Sequence, residues 1–461
     1  MRLLSNGFRH VNGPFCIRAG CPTGEVGLMW PGSMSRFMNR LMLRLNSRIG
    51  LADATCLALL AGTLVFPFSV AGANAMFGLA LGLGLFSGEL AAGLVLCFSR
   101  FRALAVLLSA YVLWALMAIA WSPDALKGFS ELSHWWFFLL APLLLGLRSR
   151  MHPWLIWGIS AGLALHLGFT LLQAAGLVQV TVLGSSQDNP TGHIGHIGFG
   201  VVYGMWAAWL AHRAFRTSGR TRLAYGLFAA WSVVAVFMAQ GRSGYLVASI
   251  LLLMVVWRHR RDLKLAVGKG LVVGLLCMLL VLILAGPGKS RLAETWQHLL
   301  HPTTQEAKLR DARLHIWKTS LAAWRHHPML GVGTGGYLSA ARQVVDQHPD
   351  WAYGRKKQVF DHPHNLFLLA LVEQGPIGLL VTIGLFFFWV SLGWRMDWRR
   401  GSAGCWIACS GVALVLHGLS SLSLNEHFTG MLGMLLLGLG LREAGKGSDS
   451  PNPLHGTGAA G

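Results

Sequence analysis

Charge is scarce along this chain. Lys, Arg, Asp and Glu together make up 12% of its 461 residues, about half the roughly 25% of an ordinary globular domain. Acidic side chains are the scarcer sign, 18 against 38 Lys and Arg. That balance excludes a solvated, soluble domain. Nucleotide-driven chemistry is excluded on other grounds: there is no Walker motif and no dinucleotide-type glycine fingerprint after a strand. The seven cysteines make no disulfide framework. Cys56, Cys97, Cys277, Cys405 and Cys409 fall in apolar runs and Cys16 and Cys21 near the N-terminus, so they read as small apolar residues. No short apolar core with a cleavage site follows the basic, irregular first fifty residues. No cleavable signal peptide is therefore expected, and Met34 stays open as an alternative start. The Gly/Pro/Ser-rich stretch from Gly447 to Gly461 is expected to be a disordered tail.

What the chain has in abundance is hydrocarbon. It is 54% hydrophobic with a mean hydropathy of +0.52. Runs of about twenty apolar residues recur, each long enough to cross ~30 Å of bilayer as a helix, the one open-chain form that satisfies its own backbone in lipid. The expected architecture is an all-α polytopic membrane protein with about twelve transmembrane helices. The spans run over 51–70, 73–97, 102–121, 131–148, 153–177, 193–212, 222–239, 242–257, 265–286, 364–394, 402–421 and 426–442. The 57 glycines suit helices packed closely in lipid.

The formal charge of +20 raises nucleic acid as a partner, but its placement answers otherwise. The cations cluster in alternate short loops: Arg100/Arg102, Arg148/Arg150, Arg213 to Arg222, Arg258 to Lys264, and Arg395 to Arg400. The opposite short loops carry only Lys127 and Arg242. By the positive-inside rule both termini lie in the cytoplasm. The chain then divides into a cytoplasmic segment 1–50, spans one to nine over 51–286, an outward loop 287–363, spans ten to twelve over 364–442, and a tail 443–461. Membrane lipids are partners and nucleic acid is not.

The outward loop is the most polar part of the sequence, with eleven Lys and Arg between Pro287 and Pro363. Apolar positions at helical spacing (Leu309, Ile316, Trp317, Leu321, Trp324) among cations predict interfacial amphipathic helices. A breaker, His327-Pro328, and the turn Gly331-Val332-Gly333-Thr334-Gly335-Gly336 follow. A basic loop closed by histidines at the membrane surface points to an anionic, lipid-linked substrate and to proton transfer.

Individual residues carry this further. Arg242, flanked by Gly241 and by Ser243-Gly244, is a planar bidentate donor at the bilayer edge and suits an anion; the bland alternative is a snorkelling turn residue. Arg310 and Arg313 share a helical face and suit one diphosphate, or else form a solvated cationic face. His364 stands at the outer end of span ten, where Asp361 is expected to cap a helix with Pro363 near its first position. An imidazole there suits general-base work. His362 and His364 are two apart, share no helical face and have no third ligand at metal spacing, so neither a metal nor a cofactor is expected. His193 and His196, three apart, face one way at the outer end of span six and either line a cavity or pack. Glu373, inside span ten, is expected to form a structural ion pair, since an unpaired acid there is costly.

Three motifs together resemble the O-antigen ligases of Gram-negative inner membranes. They are Gly241-Arg242-Ser243-Gly244, then Arg313-Leu314-His315-Ile316-Trp317 running on to His327-Pro328-Met329-Leu330-Gly331-Val332-Gly333, and His364-Asn365 separated by nine residues from Gly375-Pro376-Ile377-Gly378. The resemblance implies transfer of O-antigen polysaccharide from an undecaprenyl-pyrophosphate-linked donor to a lipid A–core acceptor at the periplasmic face. It also implies metal-independent, inverting chemistry, with Arg242 and Arg313 holding the pyrophosphate and His364 as the essential histidine. An O-antigen polymerase or a protein O-oligosaccharyltransferase using the same donor is the alternative. A transporter fits less well, because the notable ionisable residues gather at one surface rather than mid-membrane.

Overall fold

The computed structural model describes residues 50–180, 185–239, 241–261, 312–352 and 359–447, and the regular elements among them are helices. In order they are α1 (Leu51–Val65), α2 (Val70–Phe86), α3 (Glu89–Arg100), α4 (Arg102–Ala118) and α5 (Ala125–Ser133). Then come α6 (Leu140–Gly146), α7 (Trp154–Ala174), α8 (His196–Arg216), α9 (Gly219–Met238) and α10 (Arg242–His259). The last group is α11 (Ala312–His326), α12 (Tyr337–Gln347), α13 (Leu366–Arg395), α14 (Ala403–Gly418) and α15 (His427–Gly447). Four helices among the described residues are long and apolar enough to cross a membrane: Arg102–Trp121, Trp154–Ala174, Gly219–Met238 and Leu366–Arg395. The bent pair α2–α3 makes a fifth when taken as one span. The predicted ninth span, 265–286, and the first part of the loop lie outside the described residues.

Three expected spans take a different form. The run 73–97 is two helices bent by 83° at Ser87-Gly88. The bend lets the buried Glu89 accept hydrogen bonds from the Arg148 N–H (2.7 Å) and the Ser87 hydroxyl (3.1 Å), a demand that hydrocarbon cannot meet. The run 131–148 is not one helix. After α5 the aromatic stretch His134–Leu139 tightens into a 3₁₀ turn before the short α6. That turn buries Trp135, Phe137 and Phe138, with Trp135 stacked on Tyr111 at 4.9 Å between ring centroids. The tenth span, expected over 364–394, begins at Leu366 and breaks at Gly375, whose φ of 69° and ψ of −171° are non-helical.

α8 and α15 form the buried centre of the bundle. α8 meets α10 where small residues allow it: a Cβ on Gly200 would collide with the Gly244 backbone, and one on Gly204 would lie 3.3 Å from the Ala248 Cα. This small-residue crossing is how helices approach in lipid, where dispersion rather than water exclusion holds them together.

The break in α13 anchors the glycine-rich turn and the helices α11 and α12 on either side of it. Pro376 has no N–H, so the Val372 carbonyl four residues earlier loses its helical donor. It accepts instead from the Val332 N–H (2.8 Å), and the next carbonyl, Glu373, accepts from the Gly333 N–H (2.8 Å). The third, Gln374, takes the indole N–H of Trp114 (3.0 Å). The Glu373 carboxylate turns to the same loop, accepting from the N–H groups of Gly335 (3.0 Å) and Tyr337 (3.3 Å). These backbone amides, rather than the expected ion pair, are the partners seen for it. On the other side Thr334 binds the end of α4, its hydroxyl donating to Ala115 O (2.8 Å) and its N–H to Ala118 O (3.3 Å). The glycine-rich turn is thus threaded between α4 and the broken α13. α11 and α12 close over it in a small apolar core of Ala323, Val332, Tyr337, Ala341 and Val344, seated on Leu369 and Val372.

Candidate functional site

His364 lies two residues before α13, where that helix meets α11. The helix is capped by Asn365, whose Oδ1 accepts from the Leu368 N–H (3.0 Å) while its Nδ2 donates to Leu419 O (3.1 Å). The cap expected from Asp361, with Pro363 in the first turn, does not form. The Pro363 carbonyl instead receives the Trp317 indole N–H (3.2 Å), which docks α11 on this turn. His364 itself is left-handed, with φ 49°, the one non-glycine residue with positive φ among those described. For an L-residue that conformation costs about 1–2 kcal/mol, and such strain persists where surroundings over-determine it.

Those surroundings are identifiable. The His364 N–H donates to His362 Nδ1 (3.3 Å), which requires that nitrogen to be unprotonated. The other ring nitrogen of His362, Nε2, lies 3.7 Å from Asp361 Oδ1. The two imidazoles pack edge to face at 4.1 Å between centroids, and Phe360 closes a further side at 5.8 Å. Burial, joined by the charges of His362 and Arg313, pushes the His364 pKa down to about 4. A depressed pKa means a neutral imidazole at pH 7, able to accept a proton. A reaction using His364 as base is therefore expected to hold its kcat/KM from neutral pH downward and fall only as pH passes about 4. An acid limb near the ordinary histidine value of ~6.5 in a pH–rate profile would contradict this.

The predicted partners are placed as follows. Arg313 is exposed on the first turn of α11, close enough for its charge to act on His364. The backbone of Arg242 starts α10, and Gly241 is pressed against the His196 carbonyl at the start of α8, where a Cβ would not fit. Arg310 and the Arg242 side chain lie outside the described residues. From α8 a chain of contacts leads toward His364. A Cβ on Gly198 would sit 3.6 Å from the Thr429 methyl, and the Thr429 hydroxyl donates to Glu426 (3.4 Å), whose charge acts on both His362 and His364. The first turns of α8, α10, α13 and α15 therefore lie toward one end of the bundle, each with the partial positive charge of a helix N-terminus. His193 does not join His196 on a helical face. The helix begins only at His196, and His193 lies before it, stacked on Phe169 (5.5 Å) with its N–H donating to His166 Nε2 (3.3 Å).

Two site residues escape a reading of the sequence alone. Lys127, on α5 and 3.9 Å from Glu131, bears electrostatically on His362; its signal was its rarity as a cation in the short loops expected to face outward. Glu426 accepts from Ser421 and pairs with the buried His417 at 2.8 Å. It carried no signal, because it sits at the edge of an apolar run. The assembled site is a neutral imidazole at the rim of the bundle with Arg313 and Lys127 nearby, an arrangement suited to deprotonating a hydroxyl beside a polyanion.

Residues 227–383 match the family model described as O-Antigen ligase, a stretch running from within α9 to within α13. No curated protein matches the chain. The family implies an enzyme of the glycosyl-transfer type in O-antigen processing, with a polysaccharide-linked lipid donor and a lipid acceptor. The match over residues 227–383, about a third of the chain, supports an O-antigen ligase-type family.

Proposed function

We propose that the protein transfers O-antigen polysaccharide from undecaprenyl pyrophosphate to a sugar of lipid A–core at the periplasmic face of the inner membrane. The carrying observation is the neutral, conformationally held His364 with the Arg313 charge beside it. In this reading the chain crosses the bilayer about twelve times, both termini are cytoplasmic, and the loop 287–363 lies outside. The acceptor hydroxyl gives its proton to His364 as its oxygen attacks the anomeric carbon. The bond from that carbon to the pyrophosphate oxygen breaks, with inversion, and the electron pair leaves on undecaprenyl pyrophosphate. Arg242 and Arg313, with Arg310, hold the leaving diphosphate and meet its growing charge. His362 and Asn365 position His364, the first through the backbone N–H and the second by capping α13. His196 shapes the floor on which Arg242 stands.

The test is ligation by the reconstituted protein from lipid-linked glycan to purified lipid A–core. Arg242→Ala and Arg313→Ala are each expected to lower the rate by about 10²-fold, the effect of removing one preorganised donor to a developing anion. Wild-type rates in both variants would end the assignment. Donor lengthened without acceptor would instead mark a polymerase, and glycan appearing on a protein Ser or Thr an oligosaccharyltransferase.

A further inference from the structure

Away from this site, at the opposite ends of the same helices, an aromatic groove opens into a cationic cavity. The groove, of about 680 Å³, runs between α7, α8 and α9 and is walled by Trp154, Trp157, Trp206, Tyr225 and Phe228. The cavity, of about 340 Å³, shares Trp157 and Trp209 with it and is lined by Arg213, Arg216, Arg442, His152 and Glu443. Arg213 is seventeen residues beyond His196 on α8, roughly 25 Å along the helix, so the two sites lie toward opposite faces.

Four donors make this cavity unusual. Trp209 Nε1, Trp406 Nε1, Arg213 Nε and Arg442 Nε are all buried and have no hydrogen-bond partner among the described residues, and all four residues line the one cavity. Trp209 is only 4% exposed. Buried polar groups are otherwise paired almost everywhere in folded proteins. The lining carboxylate is committed elsewhere, Glu443 Oε1 accepting from the Ser402 N–H (2.8 Å). Arg442 also donates through Nη1 to the Leu144 and Leu145 carbonyls (both 3.3 Å), and Arg216 to Arg400 O (3.1 Å). His152 Nδ1 lies 3.0 Å from Ser149 O. Three guanidiniums against one carboxylate leave the cavity positive, and its unmet demand is for acceptors.

The geometry points to a binding site for an anionic glycerophospholipid, its phosphodiester received by Arg213, Arg442 and the two indole N–H groups and its acyl chains laid along the aromatic groove. A free phosphate would leave the contiguous groove unexplained. A zwitterionic headgroup would bring its own cation against Arg213 and Arg216. Basic pockets between helices near a membrane surface favour anionic headgroups for this reason, and tryptophans suit that depth. The site is independent of the transfer chemistry proposed above.

The experiment uses the full chain in detergent, with adducts counted by native mass spectrometry. Added separately are phosphatidylglycerol, phosphatidylcholine of the same chains, and inorganic phosphate. Phosphatidylglycerol is expected to bind about tenfold more tightly than phosphatidylcholine, as charge-assisted pairing requires, with no retained phosphate adduct. Arg213→Gln/Arg216→Gln should remove that preference. Trp406→Phe keeps an aromatic side chain but deletes the donor, and should weaken phosphatidylglycerol about threefold; it carries the test if the double variant fails to fold. Equal retention of the two lipids, phosphate bound as tightly as phosphatidylglycerol, or a Trp406→Phe protein indistinguishable from wild type would overturn the site.

Discussion

His364→Ala is expected to lower polysaccharide transfer by about 10²–10⁴-fold, the usual contribution of a positioned general base. The reason lies in how the side chain is held. Its backbone N–H is tied to His362, its φ of 49° is left-handed, its ring packs against His362 and Phe360, and burial keeps the ring uncharged at pH 7. None of that arrangement serves the fold, since a left-handed histidine is itself a cost of about 1–2 kcal/mol. His364→Gly makes the discriminating measurement, because glycine accepts that conformation freely. Its melting temperature in detergent is expected to equal or exceed that of the wild type while transfer is lost. A variant that melts lower and loses activity only in proportion to its unfolded fraction would make His364 a structural residue.

The second large effect concerns stability. Gly331 (φ 72°) and Gly375 (φ 69°) face each other across the latch between the loop and α13. A Cβ on Gly331 would stand 2.6 Å from Val372 O and 2.7 Å from the Gln374 nitrogen, and one on Gly375 would run into the Met329 carbonyl. The atoms met are backbone, which cannot swing aside. Gly331→Ala or Gly375→Ala must therefore part the two segments and break the Val332–Val372 and Gly333–Glu373 hydrogen bonds. Left-handed strain of about 1–2 kcal/mol and two buried carbonyls stripped of donors, at about 1–3 kcal/mol each, sum to a destabilisation on the order of 3–8 kcal/mol. Thermal unfolding of the purified protein reads this directly, and an unchanged midpoint in both variants would contradict the latch. Earlier proteolysis near Pro328 is expected alongside.

Much of the helical layout was legible because solvation dominates it. The runs predicted at 102–121, 153–177 and 222–239 appear as Arg102–Trp121, Trp154–Ala174 and Gly219–Met238, each bounded by polar residues that cannot enter hydrocarbon. Hydropathy sums over a window and so passed over the bend before Glu89 and the 3₁₀ turn at His134–Leu139, both of which answer to partners far along the chain. A proline at 376 is a helix breaker by type, but nothing in the sequence says that residues 332 and 333 satisfy the carbonyls it frees. In the site, His364 and Arg313 stood out by type and motif. The role of His362 did not, because it depends on a backbone angle. His193 and His196 were paired by spacing, and the pairing failed because α8 begins one turn too late to include both.

The borrowed donors on α13 have a consequence for biogenesis. The residues that complete this helix, Val332, Gly333 and Trp114, are all made before it. A nascent α13 entering lipid without them would expose bare carbonyls to acyl chains, which is strongly disfavoured. Docking of the preceding turn and insertion of the segment are then coupled, and a chain shortened across 328–337 is predicted to stall during insertion rather than yield a soundly inserted but inactive protein.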